Sequence, residues 1–264
     1  PCLHSMDETP LSIRGLRTGL ARALRIAGIV LTWSAASTQA ATIFVVPGGA
    51  GTRDGKSWFN GMDLSAALRT AATGDELWVK SGTYKPEGPG GDRFATFQLK
   101  NGVALYGGFD GTETERNQRV LRLAANATIL SGDLNGDDGI NFANVAENTH
   151  HVVTGSGTDA TAILDGFMII AGNANDAHDA VHRGGIYISD GSPTLSNITL
   201  RSNTAIAGGG IYISEGNPTL HKVNFIGNKA TSDGGGVFCN NSSPTLSNVN
   251  FSGNSARFGG GMYN

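Results

Sequence analysis

The sequence predicts a mainly β fold, a right-handed parallel β-helix with three sides and about 25 residues per coil, on three observations. A glycine pair followed by an apolar and an aromatic residue occurs four times in the C-terminal third, and 25, 26 and 25 residues separate the second glycines. Apolar residues alternate at the same places in each copy, which is the periodicity of β-strands. A period near 25 fits one turn of a β-solenoid, because helical repeats need about 33 residues or more.

Each copy of the repeat has the same frame: the glycine pair, then Pro-Thr-Leu, then a short strand that ends before an asparagine. The glycine pairs begin at Gly184, Gly209, Gly235 and Gly260, the prolines are Pro193, Pro218 and Pro244, and the asparagines are Asn203, Asn228 and Asn254. Leucine-rich repeats have a similar length but need several leucines per repeat. Only one leucine column recurs here, so they are disfavoured.

Five columns of residues are predicted to face the interior, because they keep the two-residue strand period in every coil. Coils stack about 4.8 Å apart, so each side chain packs on its equivalents above and below. The columns are Ile186/Ile211/Val237/Met262, Ile188/Ile213/Cys239, Leu195/Leu220/Leu246, Ile198/Val223/Val249 and Leu200/Phe225/Phe251. Cys239 occupies an isoleucine column and is therefore predicted to be a buried spacer rather than a nucleophile.

Glycine, proline and asparagine are predicted to form the corners of the coils. The paired glycines are expected to adopt positive φ, and each proline to stand at the start of a strand, where its missing N–H is tolerated. Asn203, Asn228 and Asn254 are expected to occupy left-handed bends while their amides hydrogen-bond along the stack as a structural ladder.

Residues 1–40 have the composition of a signal peptide. Four arginines, the last at Arg25, precede an apolar run of roughly ten residues, and small residues follow as far as Ala40. A membrane span needs about twenty apolar residues, so cleavage near Ala40 and export are predicted, with no transmembrane span in this part of the protein. Removal of Cys2 would leave Cys239 as the only cysteine, which excludes an internal disulfide. The net charge of −3 gives no basic footprint for nucleic acid.

Residues 41–264 are predicted to form one β-helix domain, with irregular coils and insertions to about residue 183 and regular repeats over 184–264. Asp63 is expected to cap a short helix whose apolar face is Leu64, Ala67, Leu68 and Ala71, with Gly74 ending it. Such a helix would cover the open first coil. Strand-like runs follow at 76–80, 96–99, 103–106, 128–130, 151–154 and 162–170.

Two stretches resemble known families. The segment from Gly74 to Tyr84, after the helix, is similar to the opening of pectin-lyase-like right-handed β-helices. The C-terminal coils resemble polymorphic outer membrane protein repeats, which carry a Gly-Gly-apolar motif and a Phe-x-x-Asn motif, here Phe225–Asn228 and Phe251–Asn254, with Leu200–Asn203 as a variant. The resemblance covers about residues 60–264.

The resemblance implies two classes of function, since the fold alone does not choose between them. The lyases and polygalacturonases are enzymes that act on acidic polysaccharides, whereas the outer-membrane repeat proteins are surface-exposed passengers or adhesins. In the second family a membrane-anchoring region follows the repeats. The sequence ends at Asn264, partway through a coil, so a downstream anchoring region is expected.

The loop from Ser131 to Gly139 is a candidate calcium site, because Asp133, Asn135, Asp137 and Asp138 offer oxygen ligands at closely spaced positions. The loop departs from the EF-hand pattern: Asp138 stands at the sixth place, where glycine is needed, and Asn144 at the twelfth, where glutamate is needed. A solvated turn is the alternative reading. Calcium is the one cofactor that the sequence suggests.

Other polar groups give weaker candidates. His178 and His182, with Asp176 and Asp179, either bind a metal or belong to an exposed polar loop. The acid/base candidates are His150, His151, Asp159 and Asp165. Asp190 and Glu215 align between coils, but Asn241 follows them and no basic residue joins them, so no catalytic residue is predicted.

The outward column Tyr187, Tyr212, Phe238 and Tyr263 is the most regular exposed feature. It is either a surface that contacts a glycan or a protein partner, or an aromatic ladder that stabilises the sheet without a ligand. The sequence thus predicts an exported protein of the bacterial surface, outer membrane or extracellular space, with a non-catalytic role in adhesion, display or structure. The alternative is a polysaccharide lyase or glycoside hydrolase that acts on pectin-like polymers.

Overall fold

The computed structural model describes residues 40–121, 127–175 and 184–264, which form a right-handed parallel β-helix. Every pairing between its strands is parallel, and neighbouring strands in a sheet come from successive coils. The segment predicted to be a signal peptide lies outside the described residues, apart from Ala40. No helix within the described ranges is both long enough and apolar enough to cross a membrane.

The strands, in chain order, are β1 (Thr42–Val45), β2 (Glu76–Lys80), β3 (Gly82–Tyr84), β4 (Phe97–Gln98), β5 (Ala104–Phe109), β6 (Thr128–Ser131), β7 (Val153–Thr154), β8 (Ile163–Asp165), β9 (Met168–Ile170), β10 (Asn173–Ala174), β11 (Ile186–Ser189), β12 (Thr194–Ser196), β13 (Thr199–Arg201), β14 (Thr204–Ala207), β15 (Ile211–Ser214), β16 (Thr219–His221), β17 (Asn224–Ile226), β18 (Lys229–Asp233), β19 (Val237–Asn240), β20 (Thr245–Ser247), β21 (Asn250–Ser252) and β22 (Met262–Tyr263). The helix α1 spans Leu64–Thr70, and short 3-10 turns span Trp58–Asn60, Arg116–Gln118 and Ile140–Phe142.

Three long sheets and one short sheet form the sides of the coil. Sheet A contains β1, β2, β5, β8, β12, β16 and β20; sheet B contains β3, β6, β9, β13, β17 and β21; sheet C contains β4, β7, β11, β15, β19 and β22. Sheet D, with β10, β14 and β18, lies between sheets B and C in the chain and was not foreseen from sequence. Its inward residues are alanines, whose small side chains give little apolar signal.

The predicted inward columns are confirmed, and they continue into the irregular coils. In sheet A a leucine column runs through six coils as Leu77, Leu105, Leu164, Leu195, Leu220 and Leu246. The first five of these leucines are fully buried, whereas Leu246 in the last coil is partly exposed. Because the columns from all three long sheets belong to one apolar core, each coil depends on its neighbours for burial.

Helix α1 begins where the sequence predicted. The Asp63 carboxylate accepts hydrogen bonds from the backbone N–H groups of Ser65 and Ala66, at 2.9 and 3.2 Å. The apolar face of the helix packs into the same core as the first strands. The predicted end at Gly74 is wrong: the helix stops at Thr70, because Asp75 accepts a hydrogen bond from the Ala72 N–H at 2.8 Å and turns the chain into β2.

The paired glycines do not adopt the positive φ that was predicted for them. In the regular coils the positive φ belongs to the glycine before each pair, namely Gly208, Gly234 and Gly259. The pairs are needed for close approach instead: a Cβ on Gly210 would lie 2.5 Å from the Gly236 carbonyl oxygen and 2.8 Å from the Phe225 ring. The paired glycines therefore allow the backbone of the neighbouring coil and the aromatic rings of the core to approach their own backbone closely.

The amides of Asn203, Asn228 and Asn254 form a hydrogen-bonded column. Asn203 Nδ2 donates to Asn228 Oδ1, and Asn228 Nδ2 donates to Asn254 Oδ1, both at 3.0 Å. The predicted left-handed bend at these asparagines is wrong, because the positive φ belongs to the residue just before each of them: Ser202, Gly227 and Gly253. The bend one residue earlier turns each asparagine side chain inward, where it can reach the next coil.

Candidate functional site

A polar insertion follows β6 and returns to the body at β7, and it contains the predicted calcium loop. The Asp133 carboxylate closes a turn at its start, since it accepts hydrogen bonds from the backbone N–H groups of Gly136, Asp137 and Asp138. At the other end the fully buried Asn148 donates from Nδ2 to Asp138 Oδ2 at 2.8 Å. The fold thus brings the two ends of the insertion together.

Four carboxylates meet at this place: Asp133, Asp137, Asp138 and Glu147, called the acidic cluster below. One oxygen from each lies within 4.8 Å of the others. Three of these residues belong to the loop singled out from sequence, in which Asn135 is exposed. Glu147 was missed, because it comes from the far end of the insertion and no spacing rule connects it to Asp133.

The acidic cluster is electrostatically unfavourable as a set of bare charges. Burial raises the pKa of Asp138 to about 6, and the nearby charges of Asp133, Glu147 and Asp137 raise it too, while the hydrogen bond from Asn148 lowers it. The ion pairs of Arg116 with Glu76 and of Arg119 with Asp165 include no member of the cluster. Lys85 Nζ approaches the same loop but donates to the Leu134 carbonyl oxygen at 3.3 Å.

A groove of about 740 Å³ lies between this insertion and the outer face of sheet B. Ile129, Met168 and Ile170 line it on the sheet side, and the segment from Ile140 to Val145 lines it on the insertion side. Asp138 of the acidic cluster and Arg201 of β13 also line the groove. The arrangement joins apolar surface with one acidic and one basic group, a lining that can contact both the apolar and the polar parts of a ligand.

The outward aromatic column is stacked along sheet C only in its C-terminal part, because the Tyr187 and Tyr212 rings lie 6.1 Å apart and are tilted by 54°. The Phe238 ring lies 4.9 Å from the Tyr212 ring and 5.6 Å from the Tyr263 ring, with interplanar angles of 25° and 2°. His151 extends the column past Tyr187, at 5.5 Å between ring centroids. Because Phe238 has a ring on both faces, it presents only its edge to a ligand. This geometry favours the stabilising ladder over a surface on which sugar rings could stack.

The acid/base candidates predicted from sequence each make contacts with their own neighbours. Asp165 pairs with Arg119 at 3.0 Å and accepts a hydrogen bond from Asn197 Nδ2 at 2.9 Å. Asp159 is bonded to Thr161 in an exposed turn, and this hydrogen bonding lowers its pKa. His150 packs against Phe94, with 4.7 Å between ring centroids. The two carboxylates therefore serve local structure.

Asp190, Glu215 and Asn241 align for a backbone reason. Each has a positive φ, between 50° and 55°, at the corner that follows a sheet C strand. Asparagine and aspartate tolerate this conformation better than most residues. The remaining metal candidates, His178, His182, Asp176 and Asp179, lie outside the described residues.

Cys239 is buried in the core, and burial raises the pKa of its thiol to about 11. We expect a C2S variant of the full chain to react with a thiol reagent at pH 8 only after unfolding, because the thiolate is the reactive form. One equivalent should react in denaturant, and the folded protein should stay unreactive until the pH approaches 11. Rapid labelling of the native protein at pH 8 would contradict the buried placement.

No protein-family model matches the chain, and no curated protein matches it. Among solved structures the chain is similar to one described as the crystal structure of pectate lyase Pel9A, with 13% sequence identity and a TM-score of 0.26, covering 80% of this chain and 78% of that one.

Proposed function

We propose that this chain is an exported β-helix with a non-catalytic role in adhesion or display, and that the groove over sheet B contacts its partner, for which a glycan is the first candidate. The observation that carries the proposal is the groove itself. It combines an apolar strip with two charged groups, Asp138 on the insertion and Arg201 on a sheet held in register by the core. Sugars present both apolar faces and hydroxyl groups, which such a lining can accept.

Two further features support this proposal. The signal-peptide composition of residues 1–40 supports export. The resemblance of the C-terminal coils to polymorphic outer membrane protein repeats supports display at a cell surface. In such a protein the coils would hold the groove at a fixed orientation on a rigid support.

Polysaccharide cleavage is the second candidate, and one observation favours it. A lyase of this fold needs a basic residue beside an acidic, metal-binding group, and Arg201 and Asp138 line the same groove. Arg201 stands on β13 and is exposed, so a polymer in the groove could reach it.

The test begins with binding of the full chain to a glycan array and to soluble polysaccharides. Ile140 is 87% exposed at the edge of the groove, and an I140D variant should weaken binding at least about tenfold, since burying an isoleucine on a ligand contributes about 1.5–3 kcal/mol. The matched control is F59D, because Phe59 is 80% exposed in another 3-10 turn and does not line the groove. We expect the control to bind like the wild type.

The same samples separate the two candidates. Incubation with uronate polymers, with and without calcium, should give neither new reducing ends nor unsaturated products that absorb ultraviolet light. Cleavage that is lost in an R201Q variant would overturn the non-catalytic role and establish the lyase. Equal binding by I140D and the wild type would show that the groove is not the contact site. Binding to a protein but to no glycan would show that the partner is not a glycan.

A further inference from the structure

We infer that the acidic cluster, together with the side-chain oxygen of Asn148, forms a calcium site that fastens the two ends of the insertion to one another. This inference goes beyond the proposed function, because the site can bind its ion whether or not the groove binds a glycan. It also extends the loop suggested by sequence, because Glu147 and Asn148 join the set.

The first observation is the concentration of negative charge. Four carboxylates with an oxygen each inside 4.8 Å repel one another, because like charges at this separation interact unfavourably. The ion pairs of Arg116 with Glu76 and of Arg119 with Asp165 do not involve these carboxylates. A divalent cation would offset their charge.

The second observation is independent of the charges. Asn148 is fully buried, and its side chain reaches the cluster through the bond from Nδ2 to Asp138, yet its Oδ1 has no hydrogen-bond partner. An unsatisfied buried acceptor is unfavourable, and native structures rarely keep one without a reason. A cation at the cluster would give this oxygen a partner.

Two carboxylate oxygens of the cluster share this condition. Asp138 Oδ1 and Glu147 Oε1 are enclosed and have no hydrogen-bond partner, although neither residue is fully buried as a whole. All three enclosed atoms are acceptors, so they cannot satisfy one another. The turn made by Asp133 accounts for that carboxylate alone, whereas a bound cation accounts for the enclosed oxygens as well.

The donor set indicates calcium among the common metals. It consists of carboxylates and one amide oxygen, without histidine or cysteine, and such hard oxygen ligands suit calcium or magnesium rather than zinc. Calcium takes six to eight oxygens in a flexible geometry, whereas magnesium needs a near-ideal octahedron and keeps several waters. Four carboxylates and an amide from an irregular loop fit calcium better.

Binding would order the groove. Asp133 and Asp138 lie before the segment from Ile140 to Val145, and Glu147 and Asn148 lie after it, so one ion would close this segment into a loop. Metal clips that close a loop remove conformational freedom from the chain between the ligands. The wall of the groove would then be rigid with calcium and loose without it.

The test is calcium titration of the full chain by calorimetry, with thermal unfolding in about 1 mM calcium and in chelator. We expect one bound ion and a higher melting temperature in calcium. In E147Q the dissociation constant for calcium should rise at least about tenfold. The matched control is E87Q, because Glu87 is an exposed glutamate outside the cluster, and it should bind calcium like the wild type.

The melting temperatures of E147Q in chelator and in calcium distinguish a calcium ligand from a glutamate with only a structural role. In chelator E147Q should melt at the same temperature as the wild type or higher, because one repulsive charge is gone, whereas in calcium it should melt lower. A lower melting temperature in both conditions would overturn the site. No bound calcium in the wild type, a melting temperature that is indifferent to chelator, or an equal response to magnesium at the same concentration would also overturn it.

Discussion

An N228L variant should lose about 3–5 kcal/mol of unfolding free energy, because it removes the middle member of the asparagine column. Asn228 Oδ1 accepts from Asn203 Nδ2 at 3.0 Å and from the Asn203 backbone N–H at 3.2 Å. Its Nδ2 donates to Asn254 Oδ1 at 3.0 Å and to the Leu200 carbonyl oxygen at 2.9 Å. Leucine satisfies none of these buried groups, and each unsatisfied group costs about 1–3 kcal/mol.

Chemical denaturation of the full chain measures this effect, and N224L is its matched control. Asn224 stands in the same coil on β17, but it is not fully buried and its side chain makes no hydrogen bond in the described part of the chain. The control should change the stability by no more than about 0.5 kcal/mol. Equal losses in the two variants would show that the column contributes nothing beyond ordinary strand packing.

A G210A variant should be destabilised by about 3 kcal/mol or more, because its added methyl group meets atoms that cannot move aside. The new Cβ would lie 2.5 Å from the Gly236 carbonyl oxygen in the next coil and 2.8 Å from the Phe225 ring in the core. Relief requires the coils to separate, which would disturb the parallel pairing of β15 with β19. Denaturation midpoints, or a fall in soluble yield, report the loss.

Alanine variants of two further glycines separate the destabilisation caused by steric crowding from that caused by a positive φ. Gly227 has a φ of +61° and open space around its Cβ position, so G227A should cost only the left-handed penalty of about 1–2 kcal/mol. Gly88 has open space and no positive φ, and G88A should be nearly neutral. A larger loss for G227A than for G210A would contradict the close-approach role of the paired glycines.

Both large effects arise in the regular coils, and there the sequence was most informative. The glycine spacing and the leucine column are periodic signals, and a stacked fold repeats its contacts with the same period, so the core could be derived without coordinates. The start of α1 could also be predicted from the sequence, because a capping aspartate bonds to backbone N–H groups within three residues of itself.

Only part of the candidate site could be predicted from the sequence. Asp133, Asp137 and Asp138 were found, because they are close together in the sequence and share a ligand chemistry. Glu147 and Asn148 were not found, and neither was the placement of Arg201 and Asp138 in the lining of one groove. An insertion of irregular length has no period, so its contacts cannot be read from spacing.

The sequence by itself determined the β-helix, the register of its inward columns and the apolar character of its core, because local alternation and a fixed repeat length specify these together. Only the tertiary structure decided which glycine carries the positive φ, how the aromatic rings cover one another, and which carboxylates meet. Those features depend on the distance between neighbouring coils and on the path of an insertion, and both are set by packing across the chain rather than along it.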